Sequence, residues 1–224
     1  MQKSMIKLLS IADVISLTNA VLGFLSIIMI FLGEIHFSFS LILLALLADG
    51  LDGIIARKTR HSELGEYMEA MADMISLGIA PAVFVYKNYN IAVSECIYWH
   101  SLLVIVLIVF LSFNIVRLAS FHIIKEKTFF IGLPASASAI IILIMTYFNI
   151  EVTYVLPVIV IISLMLISNI RFPKPTLKIN AIAAVLIVLT IIVGKKFGGV
   201  APILLLLSII IYSLAGQIYL LKRK

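Results

Sequence analysis

Residues 49–73 read Asp49-Gly-Leu-Asp52-Gly53-Ile-Ile-Ala56-Arg57, then Lys-Thr-Arg-His-Ser-Glu-Leu, then Gly65-Glu-Tyr-Met-Glu69-Ala-Met-Ala-Asp73, and six of the chain's eleven acidic residues fall within them. Asp49 and Asp52 stand three apart, and Gly53 and Ala56 continue the same face at helical spacing. Gly65, Glu69 and Asp73 recur every fourth residue and form a second stripe of the same kind. Each stripe sets carboxylates beside residues small enough to admit a ligand. The basic turn between them is short, so the two helices are expected to run antiparallel and to bring four carboxylates together.

The surroundings of this stretch decide what those carboxylates face. The chain has 224 residues, 63% of them hydrophobic and 12% charged, with a mean hydropathy of +1.22. That leaves too little polar surface to cover a soluble globule of this size. Apolar runs long enough for a bilayer core of about 30 Å follow one another along the chain. They do not alternate apolar with polar residues as the strands of a membrane barrel would. The expected fold is therefore all-α: a polytopic membrane helix bundle forming a single membrane-embedded domain over residues 1–224. Eight helices are expected: Val14 to Leu32, Phe37 to Ala56, Glu66 to Tyr86, Ile97 to Phe121, Gly132 to Phe148, Val152 to Ser168, Leu177 to Val193 and Val200 to Leu221.

Basic residues orient the bundle. An even number of spans places both termini on one side, together with the loops near residues 57–64, 122–131 and 171–178. Lys3, Lys7, Arg57, Lys58, Arg60, Lys125, Lys127, Arg171, Lys174, Lys178, Lys222, Arg223 and Lys224 then share that side, against Lys87, Lys195 and Lys196 on the other. This bias puts both termini and the acidic stretch at the cytoplasmic side of a cell membrane. The net charge of +6 is mostly juxtamembrane, where it favours anionic membrane lipids, and nucleic acid is not expected as a partner. Lys3 and Lys7 precede an apolar stretch that lacks a small-residue cleavage site, so the first helix is expected to be retained. Cys96 is the one cysteine and is read as structural. His36, His61, His100 and His122 lie near predicted helix ends without metal-site spacing.

Four carboxylates inside a membrane boundary repel one another and lose hydration unless cations neutralise them. Oxygen-only ligands point to hard divalent cations, and a metal pair could clamp a pyrophosphate during phosphoryl-type transfer.

These residues resemble the signature of the CDP-alcohol phosphotransferases, D-x-x-D-G-x-x-A-R, a spacer, then G-x-x-x-D-x-x-x-D. The resemblance implies two divalent metal ions, Mn2+ or Mg2+, held by Asp49, Asp52, Glu69 and Asp73, with Asp73 also the general base. It implies that Asp49, Asp52, Gly53, Ala56, Arg57 and Gly65 receive the CDP moiety, and that the protein is a homodimer. Two features depart from the pattern: Glu69 stands where the family has aspartate, and seven residues rather than eight separate Arg57 from Gly65.

Further segments resemble the phosphatidylserine synthase branch of that family: Asp73-Met-Ile-Ser-Leu-Gly-Ile-Ala-Pro81, Phe113-Asn-Ile-Val-Arg117-Leu-Ala-Ser-Phe121, Phe130-Ile-Gly-Leu-Pro-Ala135, Ser168-Asn-Ile-Arg-Phe-Pro173, and Asn19. The resemblance covers about residues 14–175, the expected catalytic core, with two additional helices over 176–224. It implies L-serine as acceptor and CDP-diacylglycerol or CDP-archaeol as donor. Arg117, Arg171, Lys174 and Asn19 are then candidates for binding serine or phosphate.

Plainer readings compete. Arg57, Arg171 and Lys174 also suit topology anchors, Arg117 a snorkelling or paired charge, and Asn19 an interhelical hydrogen bond. Other acceptors, inositol phosphate or glycerol phosphate, stay open within the family. From another class, a cation transporter would use intramembrane acids but leaves Gly53, Ala56 and Arg57 unexplained.

Overall fold

The computed structural model describes residues 9–56, 64–121, 123–124 and 129–222; inside its helices the side chains of 52–56, 121, 215–216 and 218–222 lie outside the description. Arg57 is outside the described residues altogether. In chain order the elements are α1 (Ile11–Phe31), α2 (Ile35–Ala56), α3 (Gly65–Val93), α4 (Ile97–Phe121), β1 (Phe129–Ile131), α5 (Ala135–Tyr147), α6 (Val152–Leu166), β2 (Arg171–Pro173), α7 (Leu177–Val193) and α8 (Val200–Lys222).

The helix α1 shows which solvent this fold is built for. Its buried stripe is Ala12, Asp13, Ser16, Asn19, Gly23, Ser26 and Ile30, whereas Val14, Leu17, Val21, Phe24 and Ile28 are exposed. A soluble helix arranges its faces the other way round. Polar groups turned into the bundle and apolar ones turned out is the pattern of a helix whose surroundings are lipid. Among the described residues, four helices are long and apolar enough to cross a membrane: Ile11–Phe31, Gly65–Val93, Ile97–Ser120 and Lys196–Leu214. The apolar helices Ile35–Leu51, Ala135–Tyr147, Val152–Leu166 and Leu177–Val193 are shorter.

Local chemistry sets the helix ends. Ser10 and Asp13 form a reciprocal capping box, with Ser10 Oγ accepting from Asp13 N and Asp13 Oδ2 accepting from Ser10 N at 2.6 Å, so α1 starts three residues before the expected Val14. The helix α3 runs past Tyr86 to Val93, and Asn88 Nδ2 donates to the Phe84 carbonyl within it. Between Met74 and Ile79 it widens into a π segment immediately after Asp73. Such π turns break helical register and occur often at functional sites.

An all-α architecture needs one correction. The expected fifth helix does not begin at Gly132, because Gly132 has φ +77° and Pro134 is extended. Instead, β1 and β2 pair antiparallel, with Phe129 opposite Pro173, Phe130 opposite Phe172 and Ile131 opposite Arg171. A Cβ on Gly132 would run into the Leu166 carbonyl, so a glycine is needed for the chain to pass there. Gly132 N donates to Ile170 O at 2.8 Å and Leu133 N to Met165 O at 2.9 Å, locking the two loops together.

Two apolar clusters hold the bundle. One gathers Phe39, Ile42, Leu43, Leu77, Phe84, Leu143 and Tyr147 around α5; the other gathers Val85, Leu103, Phe110, Leu133, Ile159, Leu166 and Phe172 between α3, α4 and α6. The α7–α8 pair joins the bundle at both ends. Lys195 Nζ lies 4.7 Å from the centre of the Tyr147 ring, and Tyr212 Oη donates to the Pro173 carbonyl.

Candidate active site

Two close approaches build the acidic site. The helix α1 packs against both α2 and α3, and so stands against the two helices that carry the signature. Where it meets the π segment there is no room for a side chain on α1, since a Cβ on Gly23 would lie 2.8 Å from Ser76 Cα. One turn along each helix from that contact, Asn19 Nδ2 donates to Asp73 Oδ1 at 2.9 Å. Asn19 is fully buried and Asp73 is 8% exposed. Asn19 Oδ1, equally buried, has no hydrogen-bond partner among the described residues.

Asp49 sits half-buried on α2, and Gly65 and Glu69 are half-buried on the first turns of α3. The backbone places Asp52, Gly53 and Ala56 on the last turns of α2. Among the described residues no three acidic, histidine or cysteine side chains are grouped as metal ligands; the side chain of Asp52, one of the expected four, is outside the description.

The acceptor candidates separate. Arg117 is 7% exposed on α4 and faces the bundle, its Nε donating to the Leu133 carbonyl at 3.2 Å. It lines a cavity of about 190 Å³ together with Ser120, Phe130, Ser168, Asn169 and Lys174. Lys174 Nζ lies 5.1 Å from the centre of the Phe130 ring, within cation–π range. Arg171 is exposed, its guanidinium 4.8 Å from the Phe129 ring centre, and it does not line this cavity. Asn19 belongs to the Asp73 grouping instead. The π segment after Asp73 packs against α4, the helix of Arg117.

Gly23 and Ser76 were not among the expected site residues. The signal was present in the sequence, since Gly23 stands one turn after Asn19 and Ser76 one turn after Asp73.

A buried carboxyl held by an amide thus stands within a signature spread over two apolar helices. Residues 9–220 match the family model described as CDP-alcohol phosphatidyltransferase, and the chain belongs to that family. It is 34% identical over 171 residues to a protein of Methanocaldococcus jannaschii named CDP-diacylglycerol--serine O-phosphatidyltransferase, covering 75% of this chain and 76% of that one. It is 30% identical over 178 residues to the archaetidylserine synthase of Methanothermobacter thermautotrophicus, covering 77% and 73%. A Bacillus subtilis protein named CDP-diacylglycerol--serine O-phosphatidyltransferase is 27% identical over 169 residues, covering 71% of this chain and 87% of that one.

Proposed function

We propose that this membrane enzyme transfers the phosphatidyl or archaetidyl group of a CDP-activated lipid to the hydroxyl of L-serine and releases CMP. The observation that carries this reading is the similarity to serine-using relatives across about three-quarters of both chains, at 34% and 30% identity. The buried Asn19–Asp73 pair and the cavity lined by Arg117 and Lys174 supply matching chemistry.

In this reading Asp73 takes the proton from the serine hydroxyl as its oxygen attacks the phosphorus attached to the lipid. The bond from that phosphorus to the bridging oxygen breaks, and CMP departs with the electron pair. General-base assistance of this kind contributes about 100- to 10,000-fold. The Asn19 amide fixes the carboxylate through one oxygen, so that the base is oriented before serine arrives. Arg117 and Lys174 receive the serine carboxylate, and Gly53, Ala56, Arg57 and Gly65 receive the CDP moiety.

Two divalent cations, Mn2+ or Mg2+, fit the donors Asp49, Asp52, Glu69 and Asp73, which are hard oxygens only. The fit is supported by Asn19 Oδ1, a buried neutral oxygen beside Asp73 whose hydrogen-bonding capacity a cation or its water would satisfy. When bound, the ions would neutralise the pyrophosphate and the charge developing on the leaving group. We further infer eight membrane crossings with both termini and the active site on the cytoplasmic side of the cell membrane, supported by the distribution of basic residues. A homodimer is the expected assembly.

The test is CMP release by the purified protein in mixed micelles with CDP-diacylglycerol and Mn2+, with L-serine, inositol phosphate or glycerol phosphate as acceptor. Release dependent on serine is expected. Release with another alcohol and none with serine overturns the reading.

A further inference from the structure

We infer that Tyr212, on the C-terminal helix α8, is a positioning residue for the acceptor pocket: its hydroxyl holds the peptide unit that presents Lys174. The inference rests on reading the Arg117–Lys174 cavity as the place where serine binds.

Tyr212 is half-buried, and its Oη donates to the Pro173 carbonyl at 2.5 Å across 39 residues of sequence. That carbonyl and the Lys174 nitrogen belong to one peptide unit. Because a peptide unit is planar, fixing its oxygen fixes the direction in which Lys174 leaves the strand. The preceding residue, Phe172, is 1% exposed and sunk among Leu133, Ile159 and Leu166. Two residues beyond Lys174, Thr176 caps α7. The short segment that carries Lys174 is therefore anchored on the core side by Phe172, at its carbonyl by Tyr212, and at its exit by a helix start.

What this anchoring controls is local. Lys174 stands over Phe130 and lines the same cavity as Arg117, and Phe130 is set by its pairing with Phe172. A lysine is a point charge on a flexible stem, so its usefulness to a small acceptor depends on where its backbone starts. A shift of the segment would move the ammonium relative to Arg117 and leave the Asp73 side of the site as it was. The C-terminal helix, remote from the acidic signature in sequence, thus acts on the acceptor rather than on the phosphorus.

The experiment compares Tyr212→Phe with two other variants of the full chain, reading KM for serine, KM for CDP-diacylglycerol, kcat and thermal midpoint. Tyr212→Phe keeps the ring and loses one hydrogen bond. It is expected to raise KM for serine roughly threefold to tenfold, the reach of one hydrogen bond, with kcat and KM for the lipid within about twofold, the scatter of a surface change. Tyr89→Phe removes an equally short bond, to the Ile150 carbonyl, away from the cavity. It is expected to lower the thermal midpoint and leave KM for serine unchanged. An unchanged KM for serine in Tyr212→Phe, with only the thermal midpoint lowered as in Tyr89→Phe, overturns the inference, as does a rise in KM for the lipid equal to that for serine. Lys174→Met separates the two readings. If it leaves KM for serine unchanged, the pocket assignment itself fails; if it raises KM while Tyr212→Phe does not, only the role of Tyr212 fails.

Discussion

Asn19 donates its amide to Asp73 across 2.9 Å and 54 residues of sequence, at a point where both side chains are buried and the helix carrying Asp73 widens into a π segment. A hydrogen bond to an ionised group is worth about 1.5–3 kcal/mol, and more of that is felt when the acceptor is left buried and unpaired. The pair therefore fixes the direction in which the Asp73 carboxyl points.

Removing either partner should cost catalysis, and the two losses should not add. Asp73→Asn is expected to lower kcat by about 100- to 10,000-fold. Asn19→Ala should lower it by roughly 10- to 100-fold, the rate equivalent of one charge-assisted bond. In the double variant the Asn19 change should matter little, because the group it orients is gone. Rates of CMP release from the four proteins complete the cycle; full additivity would mean that Asn19 acts elsewhere.

The same crossing predicts a steric result. Adding a Cβ at Gly23 meets the Ser76 backbone at 2.8 Å, and backbone cannot swing aside as a side chain can. Gly23→Ala should destabilise the bundle by about 1–3 kcal/mol, the usual range for overpacking. Gly50→Ala, at an exposed position of α2 with no atom of the described residues within 4 Å of the added methyl, should be neutral or stabilising by up to about 1 kcal/mol through helix propensity. Thermal unfolding in detergent separates the two. Equal midpoints would show that α1 and α3 are free to move apart.

Much of this fold was open to reading because helix length and polarity are local properties. The run Ile97–Phe121 and the run Leu177–Val193 have the ends their composition implies. The misplaced ends have identifiable causes. The start of α1 is set by the Ser10–Asp13 box rather than by hydropathy, and α3 continues through polar Lys87, Asn88 and Asn90. The β1–β2 pair could not be read, since three-residue strands over 40 positions apart carry no period. At the site, the spacing of Asp49, Asp52, Glu69 and Asp73 is plain in the sequence, whereas the inward turn of Arg117 is set by packing, since the same residue also suits a snorkelling charge. Tyr212 was invisible for a like reason: a single hydroxyl in an apolar run says nothing about the carbonyl it will find.

Arg117 gives a prediction in which stability and acceptor binding are read separately. A charge within an apolar helix is costly unless its partners compensate it, and Arg117 is 7% exposed with its Nε donating to the Leu133 carbonyl. Arg117→Met removes that bond and should lower the thermal midpoint. If the guanidinium receives the serine carboxylate, the same change should raise KM for serine by roughly 10- to 100-fold. A lowered midpoint with unaltered KM would assign Arg117 to architecture instead.

Position 69 tests the metal reading most directly. Glu69 carries its carboxylate one methylene further from the helix than the aspartate of the family pattern, so a cation held with Asp49, Asp52 and Asp73 would meet a longer and less fixed side chain there. Chelation with EDTA should abolish CMP release, and Mn2+ or Mg2+ should restore it. Glu69→Asp should tighten Mn2+ binding by roughly tenfold, the scale on which altered ligand surroundings act, and raise the rate at limiting metal. Asp49→Asn should weaken binding by at least as much. Titration calorimetry with Mn2+ reads these effects without turnover. If Glu69→Asp binds metal no more tightly and works no faster, the longer side chain is the one this site is shaped to hold. If Mn2+ binding is also indifferent to Asp49→Asn, the carboxylates of the two helices do not share a cation.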